Sequence, residues 1–256
     1  MRNVRYLQLP VMGMLLFALS VAHGDWMDFF KKFTGAATNS TSSVSDSSTS
    51  TIAGLAQEEI ARGLKEALSK AVQKAVTDLA KPGGFLDNLN VKIPMPPQLQ
   101  QVEKGLRMLK QDKYADEFVA TMNRAAERAV PESATVLAGA VSQMSLDDAR
   151  AILKGQNDAA TQYFRKTCTP QLTEKFQPIV AKATAETGVT GAYKNLMAKA
   201  GPLAGFMNKD VTDVDGYVTR KTLDGLFVMV ADEEKRIREN PAARTTDLLK
   251  KVFGAK

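Results

Sequence analysis

From Ile60 onward the apolar side chains return every three or four positions, a spacing that gathers them on one face of an α-helix and scatters them over both faces of a strand. Ile60, Leu64, Leu68, Val72, Val76 and Leu79 mark a first helix, stopped by Lys81-Pro82-Gly83-Gly84. The next stretch, GFLDNLNVKIPMP, reads as an extended loop, because Pro94, Pro96 and Pro97 disfavour helix in the residues before them. Leu99, Val102, Leu106 and Leu109 mark a second helix, and Tyr114, Phe118, Met122 and Ala125 a third. Pro131 starts another, with Val136, Leu137, Val141 and Met144 inward. Ser145-Leu-Asp-Asp is a capping-box variant that opens a short helix ended by Gly155. Asn157 to Arg165 and Pro170 to Glu186 read as two helices, the second opened by Thr169 as cap and Pro170 at its first position. Tyr193, Leu196 and Met197 give a further short one.

A long late helix spans roughly Asp215 to Glu239. Its run Leu226-Phe227-Val228-Met229-Val230-Ala231 is apolar on all sides and is expected at the centre of the bundle. Pro241 ends it, and a last helix is expected over Thr246 to Phe253. No strand pattern and no internal repeat is found. The expected fold is all-α, a multi-helix bundle of about eight or nine helices. The domain, 52–256, is long enough to bury a core without disulfides, and its single cysteine, Cys168, permits none within the chain. Cys168 is expected to be a small buried residue at a helix start.

The segments ahead of the domain carry the expectations about location. Arg2 and Arg5 form a positive n-region, Val11 to Ala22 an apolar h-region, and Ala22-His23-Gly24 a small-residue cleavage site: a secretory signal peptide over 1–24. An apolar stretch of about 12 residues is too short for a membrane helix, which needs roughly 20. Residues 25–51 follow as an aromatic segment and a Ser/Thr-rich linker. In DWMDFFKKF, Trp26, Phe29, Phe30 and Phe33 stand beside Lys31 and Lys32, a composition suited to peripheral membrane contact or to docking on the domain. TNSTSSVSDSSTST, 38–51, has too few apolar residues to offset ordering and reads as a flexible tether. A periplasmic protein is expected.

Removal of the leader takes with it the only histidine, His23, and lowers the formal charge from +6 to +4 by loss of two arginines. That charge is spread along the chain, which argues against a nucleic-acid partner. One cysteine and no histidine exclude the usual zinc ligand sets and any histidine-based triad. No nucleophile elbow, Ser-x-x-Lys pair or phosphate-cradling glycine loop is present. No cofactor is expected. Carboxylates could still hydrolyse a glycosidic bond, but pairs such as Glu233-Glu234 are common on helices and carry little information. Asp210 to Gly216 resembles a calcium loop only in part. With Gly216 fixing the frame, Val211 and Thr222 would occupy the first and twelfth positions, so helix capping by aspartate explains the segment better.

Six residues remain as candidates for a ligand or anion site. Arg124 and Glu127 lie within one helical turn and can pair, either as a polar cluster inside the bundle or as a salt bridge on a solvated face. Asp224 borders the apolar run, as a buried carboxylate or a rim position. Arg244, Thr245 and Thr246 stand where the last helix would start and its N–H groups would attract an anion, although Asp247 already brings a negative charge there.

Four strings carry a resemblance to a known family: VKIPMPPQL (91–99), MNRAAERAVP (122–131), QMSLDDARAILKGQNDAATQYFR (143–165) and YVTRKTLDGLFVMVADEEKRIRENPAARTTDLLKKVFG (217–254). Over roughly 52–254 the chain resembles the bacterial domain of unknown function 4197. The resemblance implies an exported, mostly helical protein of Gram-negative envelopes, with no assigned catalytic or binding residue to carry over. Relatives often carry a lipoprotein cysteine after the leader, which this chain lacks.

Three functions remain open. An interaction or scaffold module would use the tether to reach a partner in the envelope. A carrier of a lipid-like apolar ligand would draw on the apolar central helix, the methionines and the aromatics Tyr163, Phe164, Phe176 and Tyr193. A histidine-independent hydrolase would use carboxylates. The first leads, because the chain lacks catalytic motifs and stripes at helical spacing are usually core.

Overall fold

The computed structural model describes residues 48–200, 213–243 and 250. The described residues are helical, without strands. The order is α1 (Ser48–Leu79), α2 (Gln100–Met108), α3 (Asp112–Ala129), α4 (Ser133–Gln143), α5 (Leu146–Lys154), α6 (Ala159–Thr187), α7 (Val189–Ala200) and α8 (Val214–Glu239). Short 3-10 turns at Pro97–Leu99, Val130–Glu132 and Pro241–Ala243 join or follow them. The expected last helix and the leader segment lie outside the described residues, apart from Lys250. α1 begins at Ser48, so residues 48–51, read as tether, belong to its first turn.

Helices α3, α6 and α8 pack on one another at the centre; α1, α4 and α5 close one side, and α2 and α7 cover α3 on the other. Phe85, Phe118, Phe164, Phe176 and Phe227 are completely enclosed. The apolar run of α8 lies where expected, with Leu226, Phe227 and Val230 buried and Val228 and Met229 partly so. Ile60 and Leu109 are exposed despite their spacing, the latter because α2 ends one residue earlier.

The capping box at Ser145 forms as expected. Ser145 Oγ accepts from the Asp148 N–H at 3.1 Å, and Asp148 Oδ2 accepts from the Ser145 N–H at 3.0 Å. The Ser145 hydroxyl, donating to the same carboxylate, holds the Asp148 pKa below its ordinary value.

A larger departure concerns a proline. Pro170 does not start a helix; α6 runs unbroken from Ala159 to Thr187, with both Pro170 and Pro178 inside it. Each proline removes an N–H and leaves the carbonyl four residues earlier without its helical partner. Both prolines are exposed, so the freed carbonyls have access to water. The opposite side of the helix supplies the compensation. Ala160, Phe164, Cys168, Leu172, Phe176 and Val180 are all buried at four-residue intervals. Four residues turn the helix by about 400°, so this row advances about 40° per step and winds around α6. The helix packs against α3, α4, α5, α7 and α8, with α8 meeting it from Ala160 to Thr184. Cys168 consequently sits mid-helix in the core, not at a helix start, and burial pushes its thiol pKa up. Pro170→Ala restores one backbone bond and is expected to stabilise the fold by about 2 kcal/mol, read as a higher midpoint in urea with unchanged slope.

Between α1 and α2 the chain forms an ordered strap, residues 80–96. Gly83, at φ 82°, makes the turn out of α1 in a conformation that disfavours a side chain. Gly84 lies so close to the Leu79 carbonyl that a Cβ there would clash with it. The strap then sends Phe85, Val91, Ile93 and Met95 into the core. It crosses α8 at Gly225, where a Cβ would meet the Phe85 ring at 2.7 Å and Val91 at 3.2 Å.

Candidate functional site

Two groups of buried polar side chains bind backbone in distant parts of the chain. On α3, Asn123 and Glu127 are one helical turn apart and both face the strap. Asn123 reads the strap backbone from both sides: Oδ1 accepts from the Ile93 N–H at 2.8 Å, and Nδ2 donates to the Ile93 carbonyl at 2.9 Å. Nδ2 also donates to the Val119 carbonyl at 2.8 Å. Glu127 Oε1 accepts from the N–H groups of Phe85 and Leu86 at 3.1 and 3.3 Å. From α8, the Tyr217 hydroxyl donates to the Pro94 carbonyl at 3.2 Å, and burial holds that phenol pKa above its usual value. A chain segment with no helix or ladder partners thus has its enclosed backbone groups satisfied by side chains.

The second group ties three helix ends together. α6 begins without a side-chain cap of its own. Glu234, 3% exposed on α8, supplies one across the bundle. Its Oε1 accepts from the Ala160 N–H, and its Oε2 from the Thr161 N–H and hydroxyl, all at 2.9 Å. The carboxylate thus meets the positive end of the α6 dipole. Arg238, one turn along α8, donates to Glu234 Oε1 at 2.8 Å and to the Ile152 carbonyl near the end of α5 at 2.9 Å. Beside this tie, Leu64, Ala67, Leu68 and Ile237 border a cavity of about 10 Å3 between α1 and α8, enough for about one water.

The structure separates the sequence candidates. Arg124 and Glu127 do not pair: Arg124 is exposed, while Glu127 turns inward to the strap. Asp224 is a rim residue, near Lys221 at 3.6 Å and Arg165 at 3.9 Å, with the Arg165 guanidinium 4.7 Å from the centre of the Phe227 ring. Asp213 caps α8 by accepting from the Gly216 N–H at 2.7 Å, and no metal-binding cluster is present among the described residues. Arg244, Thr245 and Thr246 lie outside the described residues, as do Trp26, Phe29, Phe30 and Phe33.

Sequence reasoning passed over Glu234, although a signal was there. It continues the stripe Leu223, Phe227, Val230, so a charge occupies a core position with Arg238 four residues on. Thr219 is the reverse case. Its hydroxyl is enclosed and has no hydrogen-bond partner among the described residues. Thr219→Val keeps the shape and removes the orphaned oxygen, so a gain of about 1 kcal/mol, a few degrees in Tm, is expected by calorimetry.

The sequence profile of the family described as protein of unknown function, DUF4197, matches residues 54–254. The chain belongs to this family. The match covers the helical DUF4197 domain from the first turns of α1 to beyond α8. No characterised protein and no solved structure shows significant similarity to it. The strap and its Asn123 and Glu127 anchors, the Ser145 box and the Glu234–Arg238 tie all fall within the DUF4197 match.

Proposed function

We propose that the DUF4197 domain is a non-enzymatic interaction module of the periplasm, exported by a signal peptide cleaved near Gly24 and carried on a Ser/Thr-rich tether. The observation that supports this reading is how three of the enclosed polar side chains are used. Asn123, Glu127 and Glu234 direct their hydrogen bonds to the chain's own backbone, fixing the strap and the start of α6. Groups spent in this way build a rigid body and leave recognition to its outer surface.

The first test is mass spectrometry, under native conditions, of the full-length gene product recovered from a periplasmic fraction without detergent. A mature chain beginning at Asp25 and free of bound small molecules is the expected result. A chain that keeps its leader and stays in the cytoplasm would refute the location. An adduct of lipid mass, removed by organic extraction, would replace the interaction module with a carrier. Chemical crosslinking of the mature protein in intact cells then identifies what it touches.

A further inference from the structure

The α2–α3 corner displays apolar side chains outward on a rigid base. Met108 and Leu109 are 79% and 60% exposed, side by side at the end of α2. Lys110, which follows them, holds φ at 55°, a left-handed conformation that reverses the chain in the manner of a helix C-cap. The Gln111 N–H donates to the Leu106 carbonyl at 2.8 Å and closes the turn. Arg107 locks the base, reaching Glu103 at 2.8 Å, Asp112 at 3.3 Å and Asp116 at 2.8 Å. Three of the corner's four carboxylates are therefore engaged by one guanidinium; Glu117 on α3 is the fourth.

Around this apolar tip stand four lysines. Lys104 is one turn before Met108 on the same face of α2, and Lys110 adjoins Leu109. Lys113 and Lys199, from α3 and α7, flank the half-buried Tyr114, with their ammonium groups 4.9 and 5.6 Å from the ring centre. All four lysines are exposed, and none enters an ion pair among the described residues. Exposed apolar tips, an amphipathic aromatic ring and long flexible cations are the components of an interfacial membrane contact. The apolar pair would enter the headgroup boundary while the lysine stems spread to keep their charges at anionic phosphates.

We infer that the α2–α3 corner is the surface by which this domain rests on an anionic membrane leaflet. The inference depends on the envelope location proposed above, and it assigns the module's partner as a lipid surface. Two apolar side chains and four lysines suit weak, reversible attachment, not insertion.

The test uses the full chain labelled with an environment-sensitive nitrobenzoxadiazole dye at Leu109→Cys; native Cys168 is buried and stays unlabelled. Vesicles contain phosphatidylethanolamine with phosphatidylglycerol, or phosphatidylcholine alone. The expected result is a blue shift of the dye on the anionic vesicles only. The same dye at exposed Gln171→Cys on α6 stays unshifted. Lys104→Glu/Lys110→Glu is expected to weaken binding about tenfold or more and to reduce its dependence on salt. Absence of binding, equal binding to both vesicles, or binding with the dye at residue 109 still in water would overturn the inference. A blue shift that needs no vesicles and grows with protein concentration would assign the corner to a second copy instead. The vesicle result needs only the folded protein, so it stands or falls separately from the export test.

Discussion

Glu234→Ala should destabilise the domain by about 3–5 kcal/mol, the largest effect expected of any single substitution considered. The change withdraws the acceptor for three donors at the start of α6 and removes the carboxylate that meets Arg238 on α8. Arg238 is 5% exposed in its side chain and also holds the Ile152 carbonyl, so it cannot leave for solvent without releasing α5. The double variant Glu234→Leu/Arg238→Met removes both charges and keeps volume. It is expected to recover about half of the loss, because the Ala160 and Thr161 N–H groups remain without their partner. Urea unfolding of the wild type, Glu234→Leu, Arg238→Met and the double variant gives the coupling energy. A double variant no more stable than Glu234→Ala would show that capping of α6, not ion pairing, is the whole contribution. Equal stability of all four would refute the buried tie.

Asn123→Leu is the second large effect, with an expected loss of about 3 kcal/mol. Leucine fills nearly the same space but leaves the Ile93 N–H and carbonyl enclosed and unpaired. The loss should be concentrated in the strap. Amide hydrogen exchange at Ile93 and Phe85 is expected to speed up well beyond the change in α4 and α5, because strap release becomes a local opening below global unfolding. Glu127→Gln, which retains an acceptor for Phe85 and Leu86, should change exchange at those amides little. If Asn123→Leu raises exchange uniformly across the domain, the strap is not a separate unit and unfolds only with the whole.

Helix positions were legible in the sequence because a local rule governs them. Apolar residues at three- and four-residue spacing, the Lys81-Pro82-Gly83-Gly84 stop, the Ser145 box and the apolar run of α8 each act within a turn or two of chain. The same local rule misplaced a boundary at Pro170. Thr169-Pro170 has the look of a helix start, yet the winding row from Ala160 to Val180 is buried throughout and α6 stays continuous. Propensity yields there because the loss of one backbone bond is smaller than the apolar burial of six side chains.

The polar residues divide along the same line. Asn123 and Arg124 are adjacent, yet one is enclosed and the other exposed, and nothing in their immediate sequence distinguishes a strap anchor from a solvated charge. Their roles depend on a segment 30 residues earlier for Asn123 and, for Glu234, on a helix start 74 residues earlier. An all-α chain, the approximate extent of its helices and its membership of the DUF4197 family were readable from the order of residues. Which charges are buried, which apolar residues remain outside at the α2–α3 corner, and whether a proline interrupts its helix were decided by tertiary packing alone. Periodicity is a property of neighbours in the chain, whereas hydrogen-bond satisfaction and burial are properties of neighbours in space.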